Sequence, residues 1–166
     1  AGVFSFLPLG EIVRQKIMNL IREEMNVLGA NEISMPALQP KAVWEPTGRW
    51  ESLNKIMYQF KDHSGKDLAL GPTHEEVVAL IAQNVLVSYA DLPKMVYQIQ
   101  TKFRDEPRAK SGLLRGREFT MKDLYSFHAD EASLNDFYEK AKKSYQKIFD
   151  RFCLKAYLTE ASGGDF

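Results

Sequence analysis

Strict alternation over Tyr97–Arg104, and again over Arg117–Phe127, is the feature that most narrows what this chain can fold into. In the first run Tyr97, Ile99, Thr101 and Phe103 alternate with Gln98, Gln100, Lys102 and Arg104. Successive side chains of a strand point to opposite faces, so a period of two predicts a strand with one apolar and one polar face. The second run follows after a loop holding Pro107, Gly112 and Gly116.

Helices are predicted around these strands. From Glu11 to Leu28 apolar residues fall at Val13, Ile17, Leu20, Ile21 and Leu28, the spacing of an amphipathic helix, and Gly29 stands where a C-terminal cap belongs. Glu32-Ile33-Ser34-Met35 reads as a short strand stopped by Pro36, which offers no ladder donor. Ile56–Asp62 and Asp67–Leu70 flank His63-Ser64-Gly65-Lys66 and predict a β-hairpin. Thr73 and Glu76 form a capping-box pattern that opens a helix ending by Val87 or Ser88. Ser133 is expected to cap a last helix whose buried stripe is Leu134, Phe137, Ala141, Tyr145, Ile148, Phe149 and Phe152. Strand runs with helices between and after them predict an α+β fold, an antiparallel sheet flanked by helices.

A chain of 166 residues fits one compact soluble domain. Lysine and arginine total 22 against 22 aspartate and glutamate, so no bulk field draws it onto nucleic acid or an anionic membrane. Any contact with nucleic acid must come from a local cluster. The single cysteine, Cys153, rules out an internal disulfide, and its neighbours Phe152 and Leu154 suggest an inert core thiol. No transmembrane run or signal peptide is evident, which makes a cytoplasmic or organellar-matrix setting the expectation. Both ends, Ala1-Gly2-Val3 and Ser162–Phe166, read as cuts or ordered limits.

Alternation places Arg104 and Glu106 on the polar face of the first strand, and Arg117, Phe119, Met121, Asp123 and Tyr125 on one face of the second. If these are the same side of the sheet, Arg104, Glu106, Phe119 and Asp123 line one concave surface. That surface suits a nucleotide, because a guanidinium binds phosphate through two parallel charge-assisted hydrogen bonds and an aromatic face can stack on a base. The plainer alternative is a set of solvated strand residues paired with acidic neighbours.

The residues themselves carry a resemblance. Phe103-Arg104-Asp105-Glu106, a loop, and then Gly112-Leu113-Leu114-Arg115-Gly116-Arg117-Glu118-Phe119 resemble motif 2 of the class II aminoacyl-tRNA synthetases. Met121–His128 continues as in the bacterial-type prolyl enzymes, and the helix with Gly29 and the strand ending at Pro36 is similar to motif 1, the family's dimer-interface element. Gly71-Pro72-Thr73-His74-Glu75-Glu76 resembles the Thr-x-Glu loop that holds proline, and Trp44–Trp50 also looks like family sequence. The resemblance spans nearly the whole chain but includes neither the third signature motif nor an anticodon-binding domain, and 160–166 only partly match the family's glycine-rich stretch.

What the resemblance implies is activation of L-proline with ATP and transfer to tRNA(Pro) by a homodimer, with Mg2+ carried on the phosphates. A segment without motif 3 is expected to be weak or inactive alone. By family likeness Arg104 bridges the proline carboxylate and the α-phosphate, Glu106 and Phe119 meet adenine, and Arg115 meets the γ-phosphate or, with Arg108 and Lys110, the tRNA acceptor end. Thr73, Glu75, Met121 and Asp123 surround proline. Thr73 has two readings that can coexist, a helix cap through its hydroxyl and a substrate acceptor through its carbonyl, and Glu75 is left free for the ammonium. His74 reads as a surface group at the helix start, His63 as a turn residue, His128 as structural, and Trp44 and Trp50 as packing residues. Rival functions are another class II synthetase, or a non-catalytic paralogue that binds nucleic acid or a partner subunit, which loss of Arg104 or Glu106 would have favoured.

Overall fold

The computed structural model describes residues 2–160. The partial match over 160–166 therefore lies, beyond Glu160, outside the described residues. In chain order the elements are α1 (Pro8–Val27), β1 (Asn31–Glu32), β2 (Leu38–Pro40), α2 (Lys41–Trp44), α3 (Arg49–Ser52), β3 (Tyr58–Lys61) and β4 (Asp67–Leu70). There follow α4 (Glu75–Val85), β5 (Lys94–Phe103), β6 (Glu118–Phe127) and α5 (Glu131–Arg151). Two three-stranded sheets have the orders β1-β5-β6 and β2-β4-β3, giving the α+β class expected. The second sheet is antiparallel, whereas β1 runs parallel to β5 with Asn31 opposite Val96 and Glu32 opposite Tyr97.

The described residues fall into two compact units, one of 2–6, 33–87 and 98–123 and the other of 7–32, 88–97 and 124–160. In the first unit the core is Trp44, Trp50, Leu53, Met57 and Ala69, with Val43 and Ile56 packed against it. Both tryptophans thus pack, as expected. The hairpin forms as predicted, Tyr58 opposite Leu70 and Lys61 opposite Asp67, and the Asp62 carboxylate accepts from the Ser64 and Lys66 amides at 2.8 and 2.9 Å. Such a side-chain turn fixes where the chain reverses.

The strand expected over Glu32–Met35 is shorter, ending at Glu32. Past it, the Gln100 side-chain amide replaces a ladder. Its oxygen accepts from the Met35 N–H at 2.7 Å and its nitrogen donates to the Met35 carbonyl at 2.6 Å. A primary amide offers the same donor and acceptor as a peptide unit, so the backbone is satisfied without a strand partner.

In the second unit α1 ends in a left-handed turn at Gly29, φ 79°, with the Ala30 amide bonded to the Met25 carbonyl and the Gly29 amide to that of Asn26. This is the glycine-closed terminus the sequence predicts. Glu24 is buried on α1 and meets Lys147 at 3.0 Å and Arg151 at 2.7 Å from α5. Burial raises the pKa of this carboxyl, but the two cations outweigh it and hold the group below the usual range.

Three expectations are corrected in this unit. Asp130, not Ser133, caps α5, its carboxylate accepting from the Ser133 amide at 2.7 Å. Of the α5 stripe only Phe137 and Ile148 are buried, while Leu134, Tyr145 and Phe149 line an apolar cavity of about 370 Å³ together with Leu158. On α1 the buried apolar residues are Met18 and Met25, and Val13 and Ile17 are exposed. Cys153 is exposed as well, with φ 56°, because it occupies the left-handed position just past α5. His128 is structural as read, its ring bonded to the Ser133 hydroxyl at 2.8 Å and packed near Phe137. Among the described residues no helix is long and apolar enough to cross a membrane.

Candidate active site

The polar face of β5 turns inward in the first unit. Gln98 and Lys102 are fully buried, so this face is not a solvated one. Asp123 of β6 explains their burial, since its carboxylate accepts from Lys102 Nζ at 2.7 Å and from Gln98 Nε2 at 2.8 Å. Lys102 also donates to Nδ1 of His74. A buried charge is tolerable when paired and hydrogen-bonded, which is the condition met here.

The segment Gly71–Glu75, between β4 and α4, is held at every carbonyl that precedes the helix. The Gly71 carbonyl accepts from the Phe103 amide at 3.1 Å, Pro72 from Arg104 Nε at 3.3 Å, and Thr73 from Gln39 Nε2 at 3.2 Å. The His74 ring, fully buried, donates from Nε2 to the Pro36 carbonyl at 3.0 Å. Since Lys102 donates to Nδ1, the proton must lie on Nε2 and the ring is neutral.

Two expectations fail at this segment. Helix α4 starts at Glu75 with His74 at its cap position and no side-chain cap bond, so the Thr73–Glu76 capping box does not form. The Thr73 hydroxyl donates instead to the Glu75 carboxylate, and Glu76 is buried against Arg49 at 2.8 Å and the Thr47 hydroxyl at 3.2 Å. Tertiary partners of full charge outcompete a backbone amide for that carboxylate. Glu75 is exposed and takes no part in a cap, with Thr73 and, at 3.9 Å, Arg49 beside it. His74 is an interior group, not a surface one, because Lys102 and Pro36 supply both ring nitrogens with partners.

Arg104 lies over the ring of Phe119, its guanidinium carbon 5.5 Å from the centroid, a cation–π distance. Burial lowers its pKa, with Asp123, Glu106 and Glu75 acting against that. Glu106 accepts from Arg115 at 2.7 and 2.8 Å, and its carbonyl accepts from Arg117 at 3.1 Å. Met121 is half-buried on β6, two residues from both Phe119 and Asp123 and so on their face. Arg108 and Lys110 are exposed on the intervening loop, where Lys110 bridges to Arg115.

Thr73, Glu75, Arg104, Phe119 and Asp123 are thus gathered in one unit, with a carbonyl, carboxylates, a guanidinium and an aromatic face. Such a set offers acceptors for an ammonium and a guanidinium for an anion. Among the described residues no group of three His, Cys, Asp or Glu converges as metal ligands would. Sequence reasoning missed Gln39, His74, Lys102 and Arg49. Lys102 had a legible signal, an opposite charge at Asp123 on the facing run, but Gln39 had none.

His74 gives the unit an acid sensitivity. Burial first, then the Lys102 charge, pushes its pKa below the ordinary value, against the opposing effects of Pro36, Asp123 and Glu75. As pH falls through about 6.5 the unfolded chain takes up a proton that native His74 refuses, so stability present above that pH is lost below it. The melting midpoint should fall between about pH 7 and pH 5, and His74→Gln should flatten that fall in scanning calorimetry. Equal slopes for both proteins would show that His74 titrates normally.

The pattern of the tRNA synthetase class II core domain (G, H, P, S and T) matches residues 58–166. The chain is similar to the proline–tRNA ligase of Fervidobacterium nodosum, 50% identical over 99% of this chain and 29% of that protein. It is 49% identical to the proline–tRNA ligase of Thermotoga maritima over 99% of this chain and 28% of the relative. It therefore spans under a third of the length of these relatives. In fold it is similar to the Giardia lamblia prolyl-tRNA synthetase solved with prolyl-adenylate, at a TM-score of 0.83 and 24% identity, over 90% of this chain and 31% of that one.

Proposed function

This chain belongs to the tRNA synthetase class II core-domain family, and from that premise we propose that it is the part of a proline–tRNA ligase that activates L-proline with ATP. The domain reading is a catalytic core segment over 1–166 containing motifs 1 and 2. The observation that supports the proposal most is the gathering of the Thr73 carbonyl, Glu75, Arg104, Phe119 and Asp123 in one unit. Identity of about half to proline–tRNA ligases across nearly the whole chain favours proline over the other amino acids of the family.

In the proposed reaction a carboxylate oxygen of proline attacks the α-phosphorus of ATP, the bond to the bridging oxygen breaks, and pyrophosphate leaves. A hydroxyl oxygen of the terminal ribose of tRNA(Pro) then attacks the carbonyl carbon of the prolyl-adenylate, the bond from that carbon to the phosphate oxygen breaks, and AMP leaves as the hydroxyl gives up its proton. Such chemistry depends on positioning and on stabilising developing charge. Arg104 holds the proline carboxylate and the α-phosphate together. The Thr73 carbonyl and Glu75 take the two hydrogens of the ring ammonium, with Met121 and Asp123 forming the adjoining wall. Phe119 stacks beneath adenine and Glu106 meets its edge, while Arg115 turns from Glu106 towards the γ-phosphate. Arg108 and Lys110, exposed on the loop, suit the phosphates of the tRNA acceptor end. Magnesium enters with the nucleotide, held by phosphate oxygens and water. A cytoplasmic or organellar-matrix setting goes with this activity, since charged tRNA is consumed by translation.

The test is ATP–pyrophosphate exchange with a panel of amino acids on the full-length protein carrying this segment. Exchange should depend on proline. Dependence on threonine or serine would transfer the site to another class II enzyme, and no exchange with any would favour a binding paralogue.

A homodimer is part of the proposal. On α1 Leu9, Ile12, Val13 and Ile17 are 75%, 54%, 50% and 41% exposed, an apolar stripe that a second copy would cover across a two-fold axis. Sedimentation should find a dimer at micromolar concentration; an active monomer would count against it.

A further inference from the structure

The carbonyl of Thr73 is aimed by a buried side chain that stands outside the reacting groups. Gln39, in β2, is fully buried, and its Nε2 donates both to the Thr73 carbonyl at 3.2 Å and to the Pro36 carbonyl at 3.4 Å. Pro36 accepts in addition from His74, which Lys102 holds in turn, and Lys102 is paired with Asp123. A continuous hydrogen-bonded chain therefore runs from Asp123 through Lys102, His74, the Pro36 carbonyl and Gln39 to the Thr73 carbonyl, with Lys102, His74 and Gln39 fully buried along it.

Gly71 is shaped to admit this side chain. A Cβ there would lie 2.5 Å from Gln39 Nε2, closer than packed atoms tolerate, and in tight contact with His74 Cε1 at 3.3 Å. Glycine is needed here for the approach of a side chain to the backbone. A carbonyl oxygen has two lone pairs, so the one at Thr73 can accept from Gln39 and from a ligand at once. Its direction is then set by Gln39 before any ligand arrives, which spares the ordering cost on binding.

We infer that Gln39 is a positioning residue for amino-acid recognition, fixing the Thr73 carbonyl so that it meets a secondary ammonium, with His74 and Lys102 as the far anchor of the same chain. This rests on the proline-activating reading. Gln39 touches no reacting atom in this scheme, so its removal should weaken proline and leave ATP alone.

The experiment measures the Michaelis constants for proline and for ATP, with the melting midpoint, in exchange by the full-length protein and two variants. Gln39→Met keeps the volume and removes the donor. Gly71→Ala keeps the donor and pushes it aside. Each is expected to raise the proline constant about tenfold, the scale of one lost hydrogen bond, with the ATP constant changed less than about twofold. A merely structural role would lower the melting midpoint with both constants unmoved or moved in parallel, and that result overturns the inference. Should Gln39→Met fail to fold, the same comparison on Gly71→Ala decides. Wild-type exchange that does not depend on proline overturns the functional reading and the inference with it. Proline-dependent wild-type exchange with an unaltered proline constant in a folded variant overturns the inference alone.

Discussion

Replacing Arg104 with lysine in the full-length protein is expected to lower the rate of adenylate formation by about 10²–10³, the usual cost of removing one oriented donor from a developing charge. Arg104 is fixed on two sides, by its bond to the Pro72 carbonyl at 3.3 Å and by the ring of Phe119 at 5.5 Å. Together they orient the guanidinium plane. A lysine keeps the charge, but its ammonium is a point donor on a flexible stem and cannot span two acceptors in a set plane. The same bond ties the arginine to the segment carrying Thr73, so the lysine also loosens one of the anchors of that segment. The effect should appear in the turnover number of exchange, since in the proposed reaction the lost interaction is one that strengthens as charge builds on the α-phosphate. A decrease of less than tenfold would mean that Arg104 is not at the reacting phosphate.

Lys102→Met is expected to have the largest effect on stability, about 3–5 kcal/mol, because it breaks a buried ion pair by removing one partner only. Lys102 is fully buried and Asp123 largely so. Burial pushes the lysine pKa down, and the Asp123 carboxylate acts against that. Methionine fills the volume yet takes away the cation 2.7 Å from the Asp123 carboxylate and the donor to His74 Nδ1. Urea unfolding reads the loss as a lower midpoint at unchanged slope. The double variant Lys102→Met with Asp123→Asn should recover part of the loss, since the carboxylate that lost its 2.7 Å ion-pair partner is then neutral. A loss below about 1 kcal/mol for the single variant would show the pair to be solvated like a surface bridge.

Much of the fold was legible because it is set by neighbours along the chain. The alternation of 97–104 and 117–127, the glycine after α1 and the turn between β3 and β4 each depend on a period or a backbone conformation that a few consecutive residues dictate. Caps were less legible, because several side chains within reach compete for the same amides. At α5 Asp130 took the place expected of Ser133, and at α4 the expected box gave way to the Arg49–Glu76 pair. The site was legible in part through the motif residues, and Arg104, Phe119 and Asp123 do fall in one unit.

The sequence by itself determined the α+β class, the order of the major elements and the family of the chain, since periodicity and motif spacing are properties of the linear order. Which polar residues lie inside was decided only by the tertiary structure. Gln39, Gln98, Lys102, His74 and Glu76 look alike in sequence to exposed polar residues, and each is buried because a partner distant in the chain meets it: Thr73, Asp123, Asp123 again, Pro36 and Arg49. Burying a polar group costs free energy unless that partner is present, so its place is a fact about pairs of residues far apart in sequence that local pattern does not encode.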